Sequence, residues 1–146
     1  MFDFQYQNPT KIIFGKNGIE AITNEVADYK KIMLTYGGGS IKANGVYDKV
    51  MKALAGKEVI EFSGIPANPT YECSMEAVEI ARKEGVDFIL AVGGGSVLDA
   101  TKFIASATKY TDGDPWEIVL GKDFKEALPL GCVMTLPATG SEINVN

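Results

Sequence analysis

The sequence predicts a three-layer α/β domain built on a largely parallel sheet. Three observations point to it. Short, largely apolar runs at Ile32–Tyr36, Val59–Phe62, Phe88–Val92 and Gly131–Leu136 read as strands covered on both faces. Most are separated by longer segments whose apolar residues recur at three- and four-residue spacing, the mark of helices laid on a sheet. Two of the strands run straight into Gly-Gly-Gly-Ser, at Gly37–Ser40 and Gly93–Ser96, which puts a tight turn between strand and helix.

Taken in order, Lys11–Phe14 reads as a short strand ending at Gly15, and Asn17–Tyr29 as a helix with Ile19, Ile22, Val26 and Ala27 on one face. After the strand Ile32–Tyr36 and its glycine turn, a helix from about Ala43 to Ala55 turns Val46, Val50, Ala53 and Leu54 inward, and Gly56 closes it. Val59–Phe62 is the next strand. Pro66–Thr70 is a stiff loop whose threonine can cap the helix Tyr71–Glu84. That helix points Glu72, Glu76, Glu79 and Lys83 outward and Cys73, Ala77, Ile80 and Ala81 inward; Gly85 ends it. The strand Phe88–Val92 then feeds the second glycine turn and a helix to about Tyr110, with Val97, Ala100, Ile104 and Ala107 inward. Asp112–Pro115 is a turn, Trp116–Leu120 a short helix, and Gly131–Leu136 the final strand.

At 146 residues the chain reads as one domain, residues 1–146, large enough for its own core. A net charge of −5 argues against nucleic acid or an anionic membrane as partner. No apolar stretch approaches the roughly 18 residues of a transmembrane helix, and the start MFDFQYQNPTK has neither the basic end nor the apolar core of a signal peptide. Cys73 and Cys132 fit no metal or redox spacing and read as small apolar groups in a reducing cytoplasm. The chain contains no histidine, hence no imidazole ligand, acid or base.

The chemistry expected of this chain lies in its loops. In an open α/β sheet, ligands sit beyond the carboxyl ends of the strands. Four loops fall there: Gly37–Ser40, Pro66–Thr70 with Asn68, Gly93–Asp99 and Thr135–Glu142. Gly93, Gly94, Gly95 and Ser96 open a helix, so several backbone N–H groups meet the positive end of a helix dipole, where a phosphate can bind. The spacing departs from the ordinary Rossmann fingerprint G-x-G-x-x-G, because Leu98 stands at the third glycine position. Gly37, Gly38, Gly39 and Ser40 would meet the adenosine ribose. No acid occurs between Met33 and Gly45, while Ser40 and Lys42 do, which favours NADP(H) over NAD(H). A plain αL turn with Ser40 as a helix cap is the ligand-free alternative. Asp99 likewise has two readings, a capping box with Ser96 or a group facing a ligand. Lys102, one turn deeper, is either its ion-pair partner or surface charge.

The longer pattern GGGS-x-x-D-x-x-K at Gly93–Lys102 resembles the cofactor loop of the iron-containing alcohol dehydrogenases. The resemblance extends to NPTKIIFGK (Asn8–Lys16), YGGGS (Tyr36–Ser40), GIPANPT (Gly64–Thr70) and TLPATGSE (Thr135–Glu142), and leans toward the butanol dehydrogenase branch. It implies a Rossmann-like fold of the kind that opens dehydroquinate synthase. It also implies NADP(H) as cofactor, Thr135 and Thr139 as hydroxyl contacts to it, and Asp99 reaching toward the nicotinamide and substrate. The family holds a divalent metal, iron or zinc, with an Asp and three His on a following helical domain. Those ligands are expected outside the sequence given, so no metal ligand is assigned here. The expected role is the cofactor domain of an oxidoreductase acting on a small alcohol or aldehyde; a homo-oligomer is left open. A non-catalytic nucleotide- or phosphate-binding module, or a glycerol dehydrogenase or dehydroquinate synthase relative, remain as alternatives.

Overall fold

Four strands form one parallel sheet, in the order β2-β1-β3-β4. They are β1 (Lys31–Tyr36), β2 (Glu58–Phe62), β3 (Phe88–Gly94) and β4 (Leu130–Leu136) in this computed structural model, which describes residues 3, 5 and 7–144. The two inner strands are mostly apolar because both of their faces are covered, Thr35 being the buried polar exception. Alternate side chains serve opposite faces. Ile32, Leu34 and Tyr36 join one core with Val50, Leu54 and Val92, under α1 (Ile22–Glu25), α2 (Ser40–Ala43) and α3 (Val46–Ala53). Met33, Ile89 and Ala91 join the other, under α4 (Tyr71–Glu84) and α5 (Gly95–Lys109). Three layers result, as the alternation of elements predicts.

The long helices follow the sequence pattern closely. The Thr70 side chain accepts a hydrogen bond from the Cys73 N–H at 3.2 Å and so caps α4, a contact worth about 1 kcal/mol. Gly85, in the left-handed conformation at φ 69°, ends that helix. Ile104 and Ala107 of α5 are fully buried. Full burial of an isoleucine contributes about 1.5–3 kcal/mol.

Three local expectations change. Lys11–Phe14 pairs with no strand among the described residues, and Phe14 is fully exposed, so an apolar run without a neighbour to bond stays outside the sheet. The segment predicted as a helix over 17–29 is mostly turns, with α-helix only at Ile22–Glu25. Bonds three residues apart, such as Ile22 N–H to Ile19 and Tyr29 N–H to Val26, replace the α ladder. Ile22 and Val26 still point inward; Ala27 does not. The helix predicted over 43–55 breaks at Asn44-Gly45. Gly45 takes φ 80°, the Asn44 side chain accepts from the Val46 N–H at 3.1 Å, and α2 and α3 separate there.

Past α5 the chain turns through Asp114 into α6 (Trp116–Val119). Asp114 Oδ1 accepts from the Tyr71 hydroxyl at 2.6 Å and the Trp116 N–H at 2.9 Å. These donors, Tyr71 first, hold the Asp114 carboxyl below its usual range. Its contribution to stability is present above the ordinary aspartate pKa, about 3.9, and is lost as pH falls through the lowered folded value. Trp116 is the sole tryptophan and packs edge-on against Tyr71, 5.1 Å between ring centroids. Its fluorescence is therefore expected to report an acid transition with a midpoint below the ordinary value, which Asp114→Asn flattens. A midpoint at or above the ordinary value would contradict the assignment. Among the described residues, no helix is long and apolar enough to cross a membrane.

Candidate functional site

Because all four strands are parallel, their carboxyl ends share one edge. From β1 the chain crosses to β2 on one side, then returns to β3 on the other. The loops after β1 and β3 therefore leave toward opposite faces and open a crevice between them, the usual ligand position in such a sheet.

At the β1 end, the Gly37 carbonyl accepts the Gly64 N–H at 2.9 Å and the Tyr36 carbonyl accepts the Ile65 N–H at 3.3 Å. This ties the first glycine turn to the loop after β2. A Cβ on Gly37 would come within 3.1 Å of the Ile65 carbonyl, whereas Gly38 and Gly39 have nothing within 4 Å. None of the three has a positive φ, so the αL turn offered as the ligand-free alternative is not what they form. Nor does Ser40 cap: it is the first residue of α2, exposed, behind Gly39.

At the β3 end, the three glycines answer to different demands. A Cβ on Gly93 would meet Val97 Cγ2 at 2.9 Å, so glycine there lets α5 pack down on its own turn. A Cβ on Gly95 would meet Thr139 Oγ1 at 2.6 Å and Ser141 Oγ at 3.2 Å. Gly94 is different. Its φ of −89° and ψ of −170° suit any residue, and nothing lies within 4 Å of where a Cβ would sit. The fold does not ask for glycine at 94, yet the space beside it is open.

The first turn of α5 carries no side-chain cap at Gly94, so its N–H groups stay available. Ser96 lies inside the helix and its hydroxyl donates to the Ala67 carbonyl, fastening the turn to the loop that bears Asn68. The capping box read from Ser96 and Asp99 is therefore absent. Asp99 is exposed and has no hydrogen-bond or ion-pair partner among the described residues. Lys102 donates to Asn144, 2.5 Å to the side-chain oxygen and 3.0 Å to the carbonyl. Asn68 and Thr135 are exposed on the same edge. Thr139 shares a 2.7 Å hydrogen bond with Ser141.

Val97 and Ser141 carry weight that no motif marks. Val97 Cγ2 is 3.8 Å from a Cβ placed on Gly37 as well as 2.9 Å from one on Gly93, so one side chain stands beside both glycine turns. Ser141 is 1% exposed and completes the hydroxyl pair beneath Gly95. Helical spacing marks Val97 as inward-facing, and Ser141 lies within TLPATGSE, but neither signal shows these contacts.

Charge around the crevice is already partnered in places. Lys42 sits over the rings of Tyr47 and Tyr36, 4.9 and 5.7 Å from their centroids. The Tyr36 hydroxyl donates to Glu61 at 2.8 Å, and the same carboxylate raises the Tyr47 phenol above its usual range. Burial pushes both thiols up, Cys73 and Cys132, which keeps them poor nucleophiles. Glu142 Oε2 is buried without a partner among the described residues. No three His, Cys, Asp or Glu among those residues lie close enough to hold a metal ion, so the residues present do not fit one.

The family model for iron-containing alcohol dehydrogenases matches residues 9–146. The chain belongs to that family. The NADPH-dependent aldehyde reductase YqhD of Escherichia coli K12 is 52% identical over 147 residues, covering 99% of this chain and 38% of that protein. The probable NADH-dependent butanol dehydrogenase 1 of Bacillus subtilis 168 is 50% identical over 148 residues, with the same coverage. Among solved structures, E. coli YqhD superposes with a TM-score of 0.91 at 52% identity, over 97% of this chain and 37% of that one. NADH-dependent butanol dehydrogenase A of Thermotoga maritima gives 0.90 at 45% identity, over 97% and 37%. This family member thus spans less than two-fifths of those relatives' length.

Proposed function

We propose that residues 1–146 form the cofactor domain of an alcohol or aldehyde oxidoreductase and bind NADP(H) in the crevice between β1 and β3. The observation that carries this reading is Gly94, an open glycine at an uncapped helix start that the fold itself does not need. A phosphate placed there meets backbone donors and the positive end of the α5 dipole without a side chain in its way. The Gly93–Ser96 turn would hold the pyrophosphate. Gly38, Gly39 and Ser40 would take the adenosine ribose, with Lys42 nearby as positive charge. Asp99, exposed one turn along α5, would face the nicotinamide end, with Thr135 at the mouth.

When bound, the nicotinamide supplies the hydride exchanged with a small alcohol or aldehyde. The names of the relatives, an aldehyde reductase and butanol dehydrogenases, support that substrate class. A metal in the whole enzyme would draw its ligands from beyond the residues described, and none of the roles above involves one. Calorimetric titration of the chain with NADPH, with inorganic pyrophosphate as competitor, tests the reading. Saturable binding weakened by pyrophosphate is expected. An absence of saturable binding refutes it.

A further inference from the structure

Two threonine hydroxyls sit in the core beneath the crevice. Thr35 on β1 and Thr101 on α5 are both 0% exposed, and their Oγ1 atoms are 2.7 Å apart. Each has one proton to give. Thr101 Oγ1 is 2.7 Å from the Val97 carbonyl, one turn back along α5, while Thr35 Oγ1 has as its other acceptor the Leu90 carbonyl at 3.5 Å. One arrangement bonds both short contacts: Thr101 donates to Val97, and Thr35 donates to Thr101. The reverse would leave two oxygens facing each other at 2.7 Å without a proton and rely on the 3.5 Å contact, beyond normal hydrogen-bond length.

Packing alone does not call for hydroxyls here. A pair of valines has nearly the same shape and leaves no buried donor to satisfy. What hydroxyls add is direction. Apolar side chains tolerate a small roll of a helix on a sheet, whereas a short, directed hydrogen bond does not. The relay ends on Val97, the residue that stands beside both glycine turns. We propose that Thr35 and Thr101 are positioning residues for the cofactor. Their relay sets the height and roll of the first turn of α5, so that the Gly93–Gly95 backbone is pre-organised for phosphate. This rests on the reading of that turn as the phosphate site.

The test compares Thr101→Val, Thr35→Val, the double valine variant and Thr101→Ser by thermal melting and NADPH calorimetry. In Thr101→Val the Thr35 hydroxyl keeps only the Leu90 carbonyl at 3.5 Å, so melting falls; Thr35→Val breaks the link to the sheet but leaves the Thr101–Val97 bond in place, so it melts nearer the unmodified chain. The double variant removes both hydroxyls, so melting recovers toward the unmodified chain, but its NADPH dissociation constant stays raised by about ten-fold or more, the scale on which lost pre-organisation acts. Thr101→Ser keeps the hydroxyl and binds as the unmodified chain does. If a single valine variant does not fold, the double variant and Thr101→Ser still decide the matter. A double variant with both normal melting and normal affinity overturns the proposal and leaves the phosphate reading standing. If the unmodified chain binds no NADPH, both fall together.

Discussion

Gly94→Val is expected to raise the NADPH dissociation constant by at least about 100-fold, close to 3 kcal/mol, while the domain melts within about 2 °C of the unmodified chain. The two halves of this result have separate causes. The fold tolerates the change because the backbone at 94 is extended, at φ −89° and ψ −170°, a region that suits a β-branched residue, and no atom lies within 4 Å of the new Cβ. Binding does not tolerate it because the branched side chain projects into the space proposed for the pyrophosphate. Gly95→Val is the instructive contrast. Its Cβ would come 2.6 Å from Thr139 Oγ1, so the Thr139–Ser141 hydrogen bond must give way and the chain should melt lower. Loss of binding at 95 would then mix a steric block with a damaged loop. A well-folded Gly94→Val variant with ordinary NADPH affinity would move the phosphate elsewhere.

Gly39→Asp is expected to turn a preference for NADPH into a preference for NADH. The relatives' names include both cofactors, so the proposed preference for NADPH is argued from the residues of the turn. No acid stands in it. Glu61, which the fold brings to the same side, is bound by the Tyr36 hydroxyl. Lys42, over the Tyr47 and Tyr36 rings, leaves positive charge close to Ser40. The new aspartate would sit at the N-cap of α2, a favoured place for one, with open space around it, so the fold should accept it. A carboxylate about 4 Å from a 2′-phosphate costs between about 1 and 4 kcal/mol, depending on how much water screens the pair. Side-by-side calorimetry with the two reduced cofactors measures the change. A variant that still favours NADPH would remove the ribose from this turn.

Much of the architecture is written in short-range pattern. The runs Ile32–Tyr36 and Phe88–Val92, the faces of α4 and the Thr70 cap follow from residues within a few positions of one another, and they appear as predicted. So do the four loops at one sheet edge, since alternation of strand and helix forces the strands parallel. The same short-range rules misjudge 11–14, because a strand exists only where another strand bonds to it, and 43–55, because one glycine outweighs a run of good helix formers.

From the chain alone come the strands and major helices, the glycine turns and the edge where they gather, since each depends on local spacing. The tertiary structure decides what each glycine is for. Gly93, Gly94 and Gly95 are identical letters in the sequence. One yields to Val97, one to Thr139 more than forty positions away, and one to open space. It likewise gives the Ser96 hydroxyl to Ala67 and joins Thr35 to Thr101, 66 residues apart. Such contacts arise only when distant segments close on one another, and no periodicity of 2 or 3.6 residues encodes them.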